Sequence, residues 1–342
     1  MNTVDEEVVS RAIELADNEL FPNALDVDVG GQVPAKQLGL IRDAGFHGLF
    51  SPTEVGGLGA SPETQWAVHE ALAGGCLTTS FIWAQHAGPS RAAAETTGPM
   101  REEWASPLAT GGAQGGVAFA HLNRPGPPIL EAHPCDDGWL FSGTAPFVTG
   151  WGHIDVVLTA ARSGDMIVWA MVDAKDCATL ISRRLSLAAI DSAVTVELSF
   201  AEHPVATRCV TSMEQLSDWR ERYRSGLRSN GSNPLGVAAR ATRLLGPSPF
   251  DTRLAEAREA INVAPVEQLP KARARLGDLC VRATSALVAS TGGSALFIDQ
   301  QAQRLAREAL FLLVQGQTPE IKRHHLALLA SDGSIPRPDN DG

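Results

Sequence analysis

The order of its hydrophobic periodicities confines this chain to a few architectures. Residues 1 to about 112 repeat at helical spacing, as in Val8-Val9, Ala12-Ile13 and Leu15-Ala16, and again in Leu38, Ile41 and Ala44. Ser61-Pro62 is a helix-start dipeptide, so a helix is predicted from Pro62 to Ala73. From residue 114 to about 205 the pattern changes. Short runs (VVLTAA, MIVWAMV, VTVELSF) alternate with turns such as CDDG and RSGD, which reads as an antiparallel barrel or sandwich. From Met213 onward Ala, Leu, Arg and Glu dominate and helix returns. The expectation is an α+β chain with an N-terminal helical domain (1–112), a middle β domain (113–206) and a C-terminal helical bundle (207–330). The tail 331–342, SDGSIPRPDNDG, reads as disordered.

Composition narrows the function classes. At 342 residues the chain can bury a large core. A formal charge of −11 argues against a nucleic-acid partner, because phosphate binding needs a basic surface. Lysine occurs only at Lys36, Lys175, Lys271 and Lys322, so no polybasic membrane patch forms. No apolar run is long enough to span a bilayer. The acidic start MNTVDEEVV lacks the apolar core of a signal peptide. The five cysteines are scattered without a C-x-x-C pair, which argues against a disulfide framework or a zinc site and fits a reducing cytoplasm.

Three stretches carry more specific information. The first is Phe141–Asp155, FSGTAPFVTGWGHID, read as a strand, a small-residue turn over Thr144-Ala145-Pro146, a second strand and then Gly-Trp-Gly. The second is Gly45–Cys76, where Gly45, Gly48, Pro52, Gly56, Gly57 and Gly59 precede a helix containing Glu70-Ala-Leu-Ala. The third is Thr291–Arg323, with Gly292-Gly293, then Arg304, Arg307 and Glu308, then Gln317-Thr318, Ile321 and Arg323. In combination these resemble the acyl-CoA dehydrogenase family. Phe147, Val148 and Thr149 fall on its G-x-(K/A)-x-(W/F)-(I/V)-T element. The last stretch is similar to its R-x-x-R-D and E-G-T-x-x-I-x-R elements, with Glu308 for Asp and with Gln317-Thr318 on G-T.

The resemblance implies the fold and an FAD cofactor. It implies removal of a proton alpha to a thioester carbonyl while the β-hydrogen leaves as hydride to the flavin. An aromatic ring and a threonine beside the isoalloxazine supply an apolar plate and a hydrogen-bond donor, which assigns Phe147, Val148 and Thr149. Cofactor contacts are also expected from Phe119, His121 and Leu122, from Gly292 and Gly293, and from Thr318. The family's base, counted from Gly293, falls on Asp299. The same residue also reads as an N-cap of the helix predicted from Gln301. A second branch of the family takes its base from the segment matching Gly226–Gly236 (GLRSNGSNPLG), which holds no acid here. Arg228 in that segment reads either as a substrate charge partner or as a solvated arginine.

Some family features are missing. The T-E-P-x-x-G-S-D element that touches CoA is replaced by Phe119–Pro128, and the R-x-x-F-G element is absent. Two other readings follow: a flavin monooxygenase or other carbon-acid oxidase on the same fold, or a silent subunit of a hetero-oligomer. His324 and His325 read as cations at a helix C-terminus. The resemblance also implies fatty acid or lipid metabolism, an electron acceptor such as an electron-transfer flavoprotein, and a homo-oligomer (dimer or tetramer) or a pairing with a related subunit. No metal site is expected.

Overall fold

The structure, a computed structural model, describes residues 3–330; the expected disordered tail lies outside them. The first zone holds α1 (Thr3–Leu15), α2 (Ala24–Val29), α3 (Ala35–Asp43), α4 (Pro62–Gly75), α5 (Leu77–Gln85), α6 (Ala87–Glu95) and α7 (Pro99–Thr110). The start of α4 follows from Ser61-Pro62: Pro62 takes the first helical position and Ser61 Oγ accepts from the Thr64 N–H at 3.2 Å. The Gly56–Gly59 loop folds tightly on itself. A Cβ on Gly57 would lie 2.1 Å from the Ser51 carbonyl oxygen, so only glycine fits there. Trp83 on α5 fills the core between these helices and donates to the Phe46 carbonyl at 3.1 Å.

The β domain contains β1 (Gly115–Ala118), β2 (Leu130–Cys135), β3 (Gly138–Thr149), β4 (Val156–Ser163), β5 (Met166–Asp173), β6 (Leu180–Arg184), β7 (Thr195–Ala206) and β8 (Val210–Gln215). They form one sheet in the order β6-β7-β3-β2-β4-β5-β8, with β1 on β4. The sheet is mixed rather than antiparallel. β1 runs parallel to β4, and β2 touches β4 in parallel at Glu131 and Arg162. The β2–β3 hairpin stands between β1 and β4 in the chain, so β4 re-enters in the direction of β1. β8 carries the sheet to Gln215, beyond the expected boundary at 206. Its sequence VTSMEQ is too polar and too irregular to read as a strand.

The last zone holds α8 (Leu216–Ser225), α9 (Leu227–Asn230), α10 (Ser232–Leu245), α11 (Pro249–Val263), α12 (Leu269–Thr291), α13 (Gln301–Val314) and α14 (Pro319–Ala330). α11 opens on a capping box in which Ser248 and Asp251 satisfy each other's backbone N–H groups. Leu235, Leu276, Cys280, Leu305 and Leu312 form the centre of this bundle. Arg240 joins it to the first zone. It donates to the Gly74 carbonyl at 2.7 Å and, with Arg243, pairs with Asp17.

Candidate functional site

The strand, turn and strand expected over Phe141–Thr149 are one continuous strand, β3, with a bulge. Pro146 has no N–H for the ladder, and a proline inside a paired strand is tolerated at such an irregularity. Pairing with β7 shifts between Ala145 and Val148. At the bulge Phe147 takes a φ of +62°, a strained state for a bulky side chain, and the residue is 59% exposed. Val148 is buried opposite Val196. Thr149 is buried, with Oγ1 3.1 Å from Thr195 Oγ1. The adjoining backbone is pinned by Gly150 N–H to Ala193 O at 2.9 Å and Trp151 N–H to Val194 O at 3.1 Å. Ile190 (φ +52°) and Val194 (φ +48°) in that loop are also left-handed. Strain of this kind concentrates where structure serves a ligand.

The loop before β7 also meets the C-terminal bundle. Arg307 on α13 pairs with Asp28 and donates to Ala188 O at 3.2 Å. One turn earlier, Arg304 pairs with Glu308 in a fully buried contact and also donates to Gln301. Burial raises the Glu308 pKa, and the Arg304 charge opposes that rise. α12 ends at Thr291, with Gly292 left-handed at φ +74°. A Cβ at Gly292 or Gly293 would meet no atom within 4 Å, so the backbone there faces open space.

Asp299 lies exposed between α12 and α13. Its carboxylate accepts from the side-chain amide of Gln300 at 3.2 Å. Among the described residues no hydrogen bond or ion pair joins it to Phe147 or Thr149. It does not cap α13: the N-cap is Gln300, without a side-chain bond. Thr318 does act as a cap, because its Oγ1 accepts from the Ile321 N–H at the start of α14.

The segment after β1 runs through Phe119 into a short 3-10 turn, Ala120–Asn123. Leu122 is core, and the Phe119 ring packs edge-on against Trp169, Trp219 and Tyr223. His121 is buried and donates to the Ala160 carbonyl at 2.8 Å, with Nδ1 unpartnered among the described residues. Burial lowers its pKa to about 4, so the ring is neutral. Its side chain therefore serves the β domain's interior.

Arg228 is not solvated and, among the described residues, not ion-paired. It is buried 4.3 Å over the Trp66 ring and donates to Asn262 at 2.8 Å. Burial lowers its pKa to about 10. His324 and His325 lie inside α14 rather than at its end. His325 is buried, and burial lowers its pKa, so the expected dipole role falls away.

Sequence reasoning missed Tyr223 and Asn230. Tyr223, the chain's one tyrosine, stacks on Trp219 at 5.0 Å, and the Asn123 side chain hydrogen-bonds its phenol. Burial raises its pKa, which keeps the hydroxyl protonated. Tyr223 and Asn230 both border Gly316; Tyr223 stands in no motif, and Asn230 lies in the Gly226–Gly236 segment, which was searched only for an acid. A separate cavity of about 590 Å³ opens where α7 faces the ends of β5 and β7, lined by Trp104, Asp173, Cys177 and His203 among others. It includes none of the expected cofactor residues.

Comparison with known proteins places this geometry. The family described as "Acyl-CoA dehydrogenase, N-terminal domain" matches residues 3–112. The chain is 29% identical over 157 residues to the 3-sulfinopropanoyl-CoA desulfinase of Variovorax paradoxus, covering 45% of this chain and 39% of that protein. It is 26% identical over 156 residues to the mitochondrial short-chain specific acyl-CoA dehydrogenase of Bos taurus, covering 43% and 37%. Well under two thirds of each relative is therefore matched. The fold extends the likeness: a glutaryl-CoA dehydrogenase from Mycobacterium smegmatis in complex with FADH2 superimposes with a TM-score of 0.80 at 15% identity, covering 98% of this chain and 97% of that one.

Residues 3–112 thus match the N-terminal domain of the acyl-CoA dehydrogenase family, and the whole chain has the acyl-CoA dehydrogenase fold. Members of this family bind FAD. The residues present fit such a cofactor. An exposed aromatic ring at a strained bulge, a threonine hydroxyl beside it and open backbone at Gly292-Gly293 are what a flat, hydrogen-bonding ring system and its phosphates require.

Proposed function

We propose that this chain is an FAD-dependent oxidoreductase of the acyl-CoA dehydrogenase family that dehydrogenates the acyl group of a CoA thioester between Cα and Cβ. The exposed Phe147 ring beside the Thr149–Thr195 pair carries this reading, because the fold holds it there at a cost in backbone strain. Bound FAD would accept the hydride that leaves the substrate's β-carbon. The chain's own part is to orient and to take a proton. Phe147 forms the apolar side of the cofactor site, Val148 contributes only backbone because its side chain is buried in the β-domain core, and the Thr149 hydroxyl donates to the ring. Backbone groups of Phe119, His121 and Leu122, with the open backbone at Gly292-Gly293 and the capped turn at Thr318, complete it. Asp299 is the proposed base, its carboxylate oxygen taking the α-proton as the Cα–H bond breaks. Its exposure requires the substrate or a neighbouring copy to cover it. Arg228 stays a candidate for the substrate side only through Trp66, against which it is packed.

We further propose a homo-oligomer, or a pairing with a related subunit. Leu296, Phe297, Ile298, Leu310 and Val314 are exposed apolar side chains on α13 and the loop before it, a patch suited to a second copy. An electron-transfer flavoprotein is the proposed acceptor and the cytoplasm the proposed location. None of the five cysteines forms a disulfide, and among the described residues no helix is long and apolar enough to cross a membrane.

A second reading has its own support. The desulfinase relative's name states a different reaction of an acyl-CoA, and the Gly226–Gly236 segment holds no acid. The test is anaerobic addition of saturated acyl-CoAs to the FAD-loaded protein, with Asp299→Asn alongside. Bleaching that Asp299→Asn abolishes supports dehydrogenation. Flavin that binds yet resists every thioester supports the second reading or a silent subunit.

A further inference from the structure

Gly316 marks a point where distant parts of the sequence meet. Its φ is +62°, and a Cβ built there would lie 3.0 Å from Asn230 Nδ2 and 3.6 Å from Tyr223 Oη. With Gln317-Thr318 on the family's G-T, the acid of the E-G-T element falls on Gly316. Asn230 lies in the segment from which a second branch draws its base. The acid position of one element and the segment from which another branch draws its base thus adjoin, and neither Gly316 nor Asn230 is acidic here. What stands there instead is an amide N–H and a phenol O–H, both hydrogen-bond donors. The Asn123 side chain holds the phenol from the segment that follows Phe119.

A buried cation acts on the Tyr223 phenol. Arg273 on α12 is 1% exposed. Its Nη2 donates to Leu312 O at 3.0 Å, one turn before Gly316, and its Nη1 has no partner among the described residues. Cys280 and Tyr223 act on it and it acts on His325, none of them a carboxylate, and among the described residues no carboxylate pairs with it. A buried cation without a counter-ion is costly, and an arriving anion relieves that cost.

We propose that Tyr223, Asn230 and Arg273 form a subsite for an oxyanion carried at the end of the substrate's acyl chain. The donors, the buried cation and the absence of a repelling acid all favour a carboxylate or sulfinate over a plain alkyl end. This rests on the acyl-CoA reading above and adds the substrate class to it.

The test is titration calorimetry of the FAD-loaded full chain with butanoyl-CoA, succinyl-CoA and a sulfinate-ended acyl-CoA of the same length. The expected result is at least tenfold tighter binding of the two anionic thioesters, and their ranking separates sulfinate from carboxylate. Tyr223→Phe keeps the stacking on Trp219. It and Asn230→Ala should each reduce the anionic preference several-fold, weakening the two anionic thioesters more than butanoyl-CoA. Arg273→Met is the companion variant and should abolish the preference. Equal affinity for all three thioesters, or variants that weaken all three alike, overturns the subsite and leaves the acyl-CoA reading standing. No binding of any thioester overturns both.

Discussion

The Thr149 and Thr195 hydroxyls face each other at 3.1 Å across the β3–β7 ladder, both buried, at the strand end that carries Phe147. Each hydroxyl can donate to one neighbour and accept from another, so under the proposed function this pair leaves one donor for the flavin. Thr149→Val leaves Thr195 without its partner. It should cost about 1–3 kcal/mol of stability and release flavin, whereas Thr149→Ser should retain both. The flavin-to-protein absorbance ratio after gel filtration and a urea midpoint check this.

Phe147 offers the opposite trade. Its left-handed backbone costs on the order of 1–3 kcal/mol, and its exposed ring contributes little burial. Phe147→Gly removes the strain, so the melting temperature should hold or rise while flavin affinity falls. Lost stability together with unchanged flavin binding would mean that the ring serves the fold instead.

Acid should destabilise the protein through its buried histidines. Burial lowers the pKa of His86 to about 3 and those of His69 and His121 to about 4. Between these values and the unfolded value near 6.5, the unfolded chain binds protons that the folded chain refuses. Stability is therefore complete above about pH 6.5 and lost as pH falls toward 4. At pH 5 the loss is about 2 kcal/mol per histidine as an upper figure. Urea midpoints at pH 7.5 and pH 5 should show it.

The buried Arg304–Glu308 pair predicts a non-additive result. Glu308→Ala leaves an unpaired buried cation and should cost about 3–5 kcal/mol. The double replacement Arg304→Met with Glu308→Leu should recover most of that loss. A double-variant cycle on urea midpoints reads the difference.

Much of this was legible in the sequence. The change from helical spacing to short β runs and back exposed the three zones, because each zone buries one face at its own period. Ser61-Pro62 fixed the start of α4 through a cap that the structure contains. Pro146 misled: proline between two strand-like runs reads as a turn, whereas the β3–β7 ladder absorbs it as a bulge. β8 was hidden because pairing with β5, not its own hydrophobicity, makes it a strand. Tyr223, Asn230, Arg273 and Gly316 were unreadable for a different reason. They sit in four separate segments, and a search for acids passes over an amide, a phenol and a glycine. Only the folded chain shows that Gly316 and Asn230 adjoin.

The most direct measurement is the visible absorption spectrum of the purified protein, followed by anaerobic addition of butanoyl-CoA and succinyl-CoA. The account predicts a bound flavin whose oxidised band bleaches with an acyl-CoA and persists in Thr149→Ser but not in Thr149→Val. A protein that takes up no flavin even with excess FAD would contradict it.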